Sequence, residues 1–287
     1  MRRRQLLAIA ALAAAAAAIL IYEGPFKRFR GAHGARMTAA SGGMNYPDLA
    51  GIASGKTRVV DMTHTINDKM PAWPGDEKKP FEAQVLATPE KDGYLTRRFS
   101  MLEHYGTHMD APSHFPPGKE SLDQIPVTHF FGPAVVIDVQ DDAAKDADYR
   151  LPVTRIEKWE GEHGEIPKGA IVMMRTGWTS RWPDQSRYRN TDAHGLMHFP
   201  GYSVEAAKLL ISRGAVGFGI DTLSIDYGPS KDFEVHRVDM PAGLFHLENL
   251  ANLDQLPEAG AFLICAPIKL EGGSGGPVRV FALIAGE

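Results

Sequence analysis

A single mixed α/β domain is the fold this sequence predicts, and three observations predict it. Short β-branched and apolar runs recur from residue 59 to residue 284, bounded by Gly, Pro, Asp and Asn. Helix-start residues and helical apolar faces fall between those runs. The composition, 44% hydrophobic and 23% charged with 29 Gly and 20 Pro, excludes collagen-like, coiled-coil and disordered chains. No tandem repeat and no second linker after residue 56 divides the remainder, and a mixed domain of this length is ordinary.

Taken in order, the strands are Val59 to Thr63, Ala134 to Val139, Ala170 to Thr176, Ala215 to Ile220, Ala261 to Ala266 and Val278 to Ile284. Their near-continuous apolar character predicts burial on both faces. Thr154 and Glu157 form a capping-box pattern, which places a helix start at Thr154. Ser203 caps a second helix that ends at Arg213, with Leu209 and Leu210 inward and Gly214 as its stop. Leu247 to Leu256, closed by Pro257, is read as a third. Segment 182–202 reads as a long loop able to reshape a pocket.

The charge is unevenly placed. Residues 1–36 hold seven basic residues and one acid, Glu23, leaving 24 basic against 34 acidic residues in the rest, a formal charge of −10. An acidic body argues against nucleic acid and anionic membrane surfaces as partners. The basic start precedes an uncharged apolar run from Leu6 to Tyr22, and Arg3-Arg4-Gln5-Leu6-Leu7 looks like a twin-arginine export signal. We therefore read 1–36 as an export signal or N-terminal anchor, 37–56 as a linker, and 57–287 as the functional domain, placed outside the cytoplasm. The lone Cys265 excludes an intramolecular disulfide and a Cys-rich zinc site, and its place in an apolar strand makes it a packing residue.

The chemistry concentrates in residues 104–114. His104, His108, Asp110 and His114 lie within eleven residues, and neutral imidazole with carboxylate is the usual thiolate-free ligand set for Zn²⁺ or Mn²⁺. Gly106 and Pro112 disfavour a helix there. Four extended residues span about 13 Å, too far for His104 and His108 to share an ion, so the chain must bend at Gly106-Thr107. His108 and Asp110, two apart, then point the same way. His114, past Ala111-Pro112, stands where a general base or acid belongs.

His104-x-Gly106-Thr107-His108-x-Asp110-Ala111-Pro112-x-His114 resembles the signature of the cyclase-family metal hydrolases, among them bacterial kynurenine formamidase and isatin hydrolase. Trp73-Pro74-Gly75-Asp76, Arg175-Thr176-Gly177-Trp178, Gly219 to Asp226, and His236 with Glu248-Asn249-Leu250 resemble further segments of that family. The resemblance implies a swivelling β-barrel-like core flanked by helices, assembled as homodimers or homotetramers. It implies one or two divalent ions per chain, Zn²⁺ first and Mn²⁺ as the alternative. His104, His108 and Asp110 would hold the first ion; Asp110 and Glu248, with His236, would hold a second. His114 would be the proton shuttle and Trp73 would line the substrate site. On residue type alone, Trp73 is equally a packed turn aromatic, and Glu248 equally a charge at a helix start. Asp221, Ser224 and Asp226 read as turn formers after a strand rather than as ligands, and their place at its C-terminal end leaves open a role in supporting the ligands.

The activity expected is hydrolysis of a small aromatic amide by metal-activated water. Arylformamidase (kynurenine formamidase) chemistry comes first, on Trp73-Pro74-Gly75-Asp76, with an isatin hydrolase-like cyclic amide or lactone hydrolase second. A polyketide cyclase or dehydratase, and an exported non-catalytic metal- or ligand-binding protein on the same fold, stay open. The last has no need of His114.

Overall fold

A computed structural model describes residues 46–75 and 79–286. The expected export segment, residues 37–45 of the linker and Asp76 lie outside the described residues. Twelve strands are described: β1 Thr57–Asp61, β2 Phe81–Ala87, β3 Thr96–Met101, β4 His108–Asp110, β5 Phe131–Asp138, β6 Arg150–Leu151, β7 Ile171–Arg175, β8 Gly201–Tyr202, β9 Gly217–Ile220, β10 Phe245–Glu248, β11 Ala261–Pro267 and β12 Gly275–Ala285. Seven close into a barrel in the order β12-β11-β5-β7-β9-β10-β4, with β4 pairing back onto β12. The run β5-β7-β9-β10 is parallel; every other barrel pairing is antiparallel.

Closure depends on β12, eleven residues long. Gly275–Pro277 pair with β4, Val278–Leu283 with β11, and Phe281–Ala285 with β1. Of the expected apolar strands, β5 from Ala134, β7 and β9 are buried on both faces; β1, β11 and β12 cover only one, with Val59 41% exposed, Phe262, Ile264 and Phe281 half-buried and Arg279 exposed. Ala134, Val136, Ile171 and Met173 join one core cluster with Met109, Leu247, Leu263 and Val280. Their alternates Val135, Ile137, Val172 and Met174 join another with Ile156, Trp159, Ala206 and Leu210 from two helices. The first cluster fills the barrel; the second binds the helices to its outside. Strands β2 and β3 form a separate two-stranded sheet.

Helices are few. Val204–Ser212 is capped as read, with Ser203 Oγ accepting from the Ala206 N–H at 3.1 Å. The helix at 153–163 begins earlier than the Thr154 cap predicts. Pro152 is extended, Val153 opens the helix, and no side chain caps it. Its start is tied instead by Arg155, which donates to the Asp138 carbonyl at 2.8 Å and pairs with Asp142 at 3.1 Å.

Leu247–Leu256 is not a helix. It is the end of β10, then an irregular chain and a short 3-10 turn at Leu253–Gln255. Asn249 and Asn252 both sit in the left-handed region at φ 56°, which no helix accommodates. Leu250, Leu253 and Leu256 still fill the barrel, so their helix-like spacing reports burial alone. Segment 182–202 is also more ordered than a loop. It holds a helix, Gln185–Arg189, capped by Asp184, and the strand Gly201–Tyr202. Tyr188, Met197 and Phe199 are buried there with Trp178 and Leu223.

Ser203→Ala removes the one side-chain cap on Val204–Ser212. It should lower stability by about 1 kcal/mol in urea unfolding; no change in midpoint would show that packing against the barrel alone holds the helix.

Candidate metal centre and catalytic pocket

The site is built on the pairing of β4 with β10. Met109 and Leu247 face each other and point into the barrel. Their neighbours alternate to the other face, where His108 lies opposite Glu248 and Asp110 opposite His246. Two antiparallel three-residue runs thus set two imidazoles and two carboxylates on one patch. All four residues are buried, none more than 5% exposed.

The bend expected at Gly106-Thr107 brings in a third imidazole. Gly106 has φ +70°. Its carbonyl accepts from His108 Nδ1 and from Asn249 Nδ2, both at 2.9 Å. Thr107 Oγ1 donates to the Asn249 carbonyl at 2.7 Å. With the chain turned back, His104 Nδ1 reaches Asp110 Oδ1 at 2.6 Å, and its Nε2 meets Ser274 Oγ at 2.9 Å. Gly275 leaves space for that ring: a Cβ there would lie 2.5 Å from His104 Cε1.

His236, on a short helix from 236 to 239, supplies a fourth ring. Its Nδ1 lies 2.6 Å from Asp226 Oδ2, and its Nε2 points at Asp110 Oδ2 (3.6 Å) and Glu248 Oε1 (3.7 Å). Asp226, for which the sequence left open a role in supporting the ligands beside that of a turn former, is the carboxylate that orients His236. Glu248 Oε1 accepts from the Ile225 N–H at 3.0 Å.

Each predicted ligand residue, His104, His108, Asp110, His236 and Glu248, is therefore at one centre. His246 is there too, and the sequence reading passed over it. Its ring is fully buried, with Nε2 2.9 Å from Asp239 Oδ2 and Nδ1 3.4 Å from Asp110 Oδ2. The signal available was His246-x-Glu248, an alternation visible only once Leu247 is placed on a strand.

The donor set fits a divalent cation. His108 Nε2 and His246 Nδ1 are buried without a hydrogen-bond partner, although His108 Nε2 lies 3.1 Å from Asp110 Oδ1, out of line for a bond. Asp110, His236, His246 and Glu248 offer atoms all within 4.8 Å of one another, as do His104, Asp110 and His114. His108, His236 and His246 each spend one nitrogen on a carbonyl or carboxylate and aim the other at the cluster. That is the way ligating imidazoles are fixed.

The electrostatics agree. Burial alone would lower His108, but Asp110 and Glu248 raise it to about 9. Burial is likewise outweighed at His236, raised to about 10 by Asp110, Asp226 and Glu248. Burial would raise Asp110, yet His108 and His104 hold its carboxyl well below the usual range. Glu248 is pushed up by burial and by Asp110. Protons thus supply positive charge where a cation would. His114 behaves oppositely: burial first, then the neighbouring His104, His236 and His246, lower it to about 3 despite Asp110. Its ring stacks on His104 at 3.9 Å and meets Phe115 edge-on at 5.0 Å.

A cavity of about 490 Å³ opens over the cluster. Its polar floor includes His104, His108, Asp110, His236 and Glu248, with His114 beside them. Trp73, Leu102, Phe115, Leu223 and Phe233 wall it. Trp73 and Phe233 approach at 5.8 Å between centroids, and Phe233 and Phe115 at 5.3 Å. Trp182, Tyr188, His198 and Tyr202 do not line it. His198 pairs at the surface with Asp148, and Trp182 stacks on His64. Asp221 accepts from the Thr176 N–H and hydroxyl, fixing the turn after β7.

The family model described as Cyclase matches residues 60–227. The chain is also 36% identical over 250 residues to the isatin hydrolase of Roseibium aggregatum, covering 82% of this chain and 95% of that protein. The chain belongs to the cyclase family. The kynurenine formamidase of Bacillus cytotoxicus is 28% identical, covering 77% of this chain and 94% of its own length. Among solved structures, isatin hydrolase A from Labrenzia aggregata, bound to benzyl benzoate, superposes with a TM-score of 0.77 at 39% identity, covering 83% of this chain and 97% of that one.

Because His108 and His236 hold protons at pH 7, binding Zn²⁺ or Mn²⁺ must displace them. Calorimetry in buffers of different ionisation enthalpy should show proton release at pH 7, shrinking as pH rises through 9 and 10, with affinity falling toward acid pH. Binding at pH 7 without proton release would exclude these imidazoles as ligands.

Proposed function

We propose that this cyclase-family chain is a metal-dependent hydrolase that opens a small aromatic cyclic amide, in the manner of an isatin hydrolase. The observation that carries the reading is one cavity whose floor is a buried imidazole–carboxylate cluster and whose walls are aromatic. The greater identity to an isatin hydrolase than to a kynurenine formamidase supports the cyclic amide over the formamide. The formamide expected first from Trp73-Pro74-Gly75-Asp76 becomes the second reading, since Trp73 does wall the cavity.

His104, His108 and Asp110 would hold one cation, and Asp110, His236 and Glu248 a second. Zn²⁺ and Mn²⁺ both suit nitrogen and carboxylate donors. A cation bound there supplies Lewis acidity, lowering the pKa of water and polarising a carbonyl. The chain's residues do the rest. Trp73, Phe115 and Phe233 bind the aryl ring and exclude water from its faces. His114, neutral in the metal-free chain from about pH 3 upward, accepts the proton of the attacking water at a ring nitrogen. The C–O bond forms at the carbonyl, the C–N bond breaks, and His114 returns the proton to the departing nitrogen. No Ser or Cys nucleophile is needed, and the Cys265 thiol is pushed up by burial inside its strand.

With Zn²⁺ or Mn²⁺ supplied, isatin should be hydrolysed in preference to N-formylkynurenine and simple lactones. His114→Ala should lower kcat by roughly 10²–10⁴-fold with metal content unchanged. Faster turnover of N-formylkynurenine would install the second reading. Metal loss in His114→Ala would make His114 a ligand, and no turnover of any substrate by metal-loaded protein would favour a binding protein.

A further inference from the structure

We propose that His246, held by Asp239, is a further ligand of the cation shared by Asp110, His236 and Glu248. The proposal rests on the metal-dependent reading above and adds a donor that the family motif does not include.

The argument begins with the protons of one ring. A neutral imidazole has a single N–H. Asp239 Oδ2, 2.9 Å from His246 Nε2, is an acceptor and takes that proton. A lone pair is then left at Nδ1, which is buried and has no hydrogen-bond partner. It faces Asp110 Oδ2 at 3.4 Å, another acceptor. Two lone-pair atoms turned toward each other in a dry interior are costly unless positive charge lies between them. A proton can fill that place in the metal-free chain; a cation held by both atoms replaces it.

His236 repeats the arrangement from the neighbouring helix. Its Nδ1 is on Asp226 at 2.6 Å and its Nε2 is aimed at Asp110 and Glu248. The two rings lie 4.5 Å apart and almost perpendicular, at 89°. Each is a carboxylate–imidazole pair whose remaining nitrogen points at the same Asp110 oxygen. Asp239 is 0% exposed, so its charge too needs an internal partner.

Position separates His246 from the other donors. Asp110, His236 and Glu248 line the cavity, and His246 does not. It comes from β10, two residues before Glu248, and is fully buried beneath the cavity-lining donors. The two cation positions therefore differ in kind. His104, His108 and Asp110 provide three protein donors and leave a place for water or substrate, as catalytic sites require. Asp110, His236, His246 and Glu248 provide four and close the second position. The first ion should exchange readily with solution and the second slowly.

The test is Co²⁺ titration of the metal-free full-length chain, followed by visible absorption and by metal content after dialysis. The wild type, His246→Gln and Asp239→Asn are compared. Wild type should take up two ions per chain. His246→Gln should keep one at wild-type affinity, weaken the other by 10–100-fold or more, and change the second ion's absorption band. Asp239→Asn should weaken the second ion by about tenfold and leave the band close to wild type. Should His246→Gln fold poorly by circular dichroism, the Asp239→Asn titration decides. Two ions bound by His246→Gln with unchanged affinity and spectrum would overturn the proposal and make His246 a buried clamp on Asp110. A single wild-type ion insensitive to both substitutions would overturn it as well. A wild type that binds no ion would instead overturn the metal-dependent reading itself.

Discussion

Two carboxylates, Asp110 and Glu248, are buried side by side with only imidazoles to offset them among the groups that shift their titration. Much of the local architecture answers that constraint. Buried charge without a partner costs several kcal/mol per ion. The chain answers with His104, His108, His236 and His246 around Asp110, and with Asp226 and Asp239 behind two of those rings. Extra carboxylates would worsen a site meant to stay metal-free. They make sense in a site where imidazoles must present lone pairs to a cation.

The barrel explains why this is possible within so few residues. Strand alternation separates Met109 and Leu247, which seal the interior, from His108, Asp110, His246 and Glu248, which face out. Because β4 is locked between β10 and β12, neither its register nor its facing can slip without emptying the core. The Gly106 bend and the left-handed Asn249 are bonded to each other, so the two ends of the cluster are fixed by one contact. A rigid floor beneath an aromatic wall fixes the cluster's geometry relative to whatever enters the cavity.

Much of this was legible in the sequence. The strands at 134–139 and 170–176 showed as apolar runs because both of their faces are covered, whereas 278–284 covers one face and leaves Arg279 on the other. The bend at Gly106 followed from chain reach alone, and the cluster at 104–114 from the chemistry of its residue types. His236 and Glu248 came from family resemblance, since no local pattern joins residues that only a closed barrel brings to Asp110. His246 was missed for a physical reason: Leu247, Leu250 and Leu253 fall at helical spacing, which hid the strand alternation that places His246 beside Glu248. The Thr154 cap failed similarly, because Arg155 ties the helix start through tertiary contacts that a capping pattern does not contain.

The most direct test of the central claim is an anomalous-scattering map of crystals of the Mn²⁺-loaded protein. The account predicts strong peaks at ligand distance from Asp110, within reach of the imidazoles around it and of Glu248. Mn²⁺ found only elsewhere, for example at the half-exposed Glu162–His163–Glu258 group, or an Asp110 with no peak beside it, would contradict it.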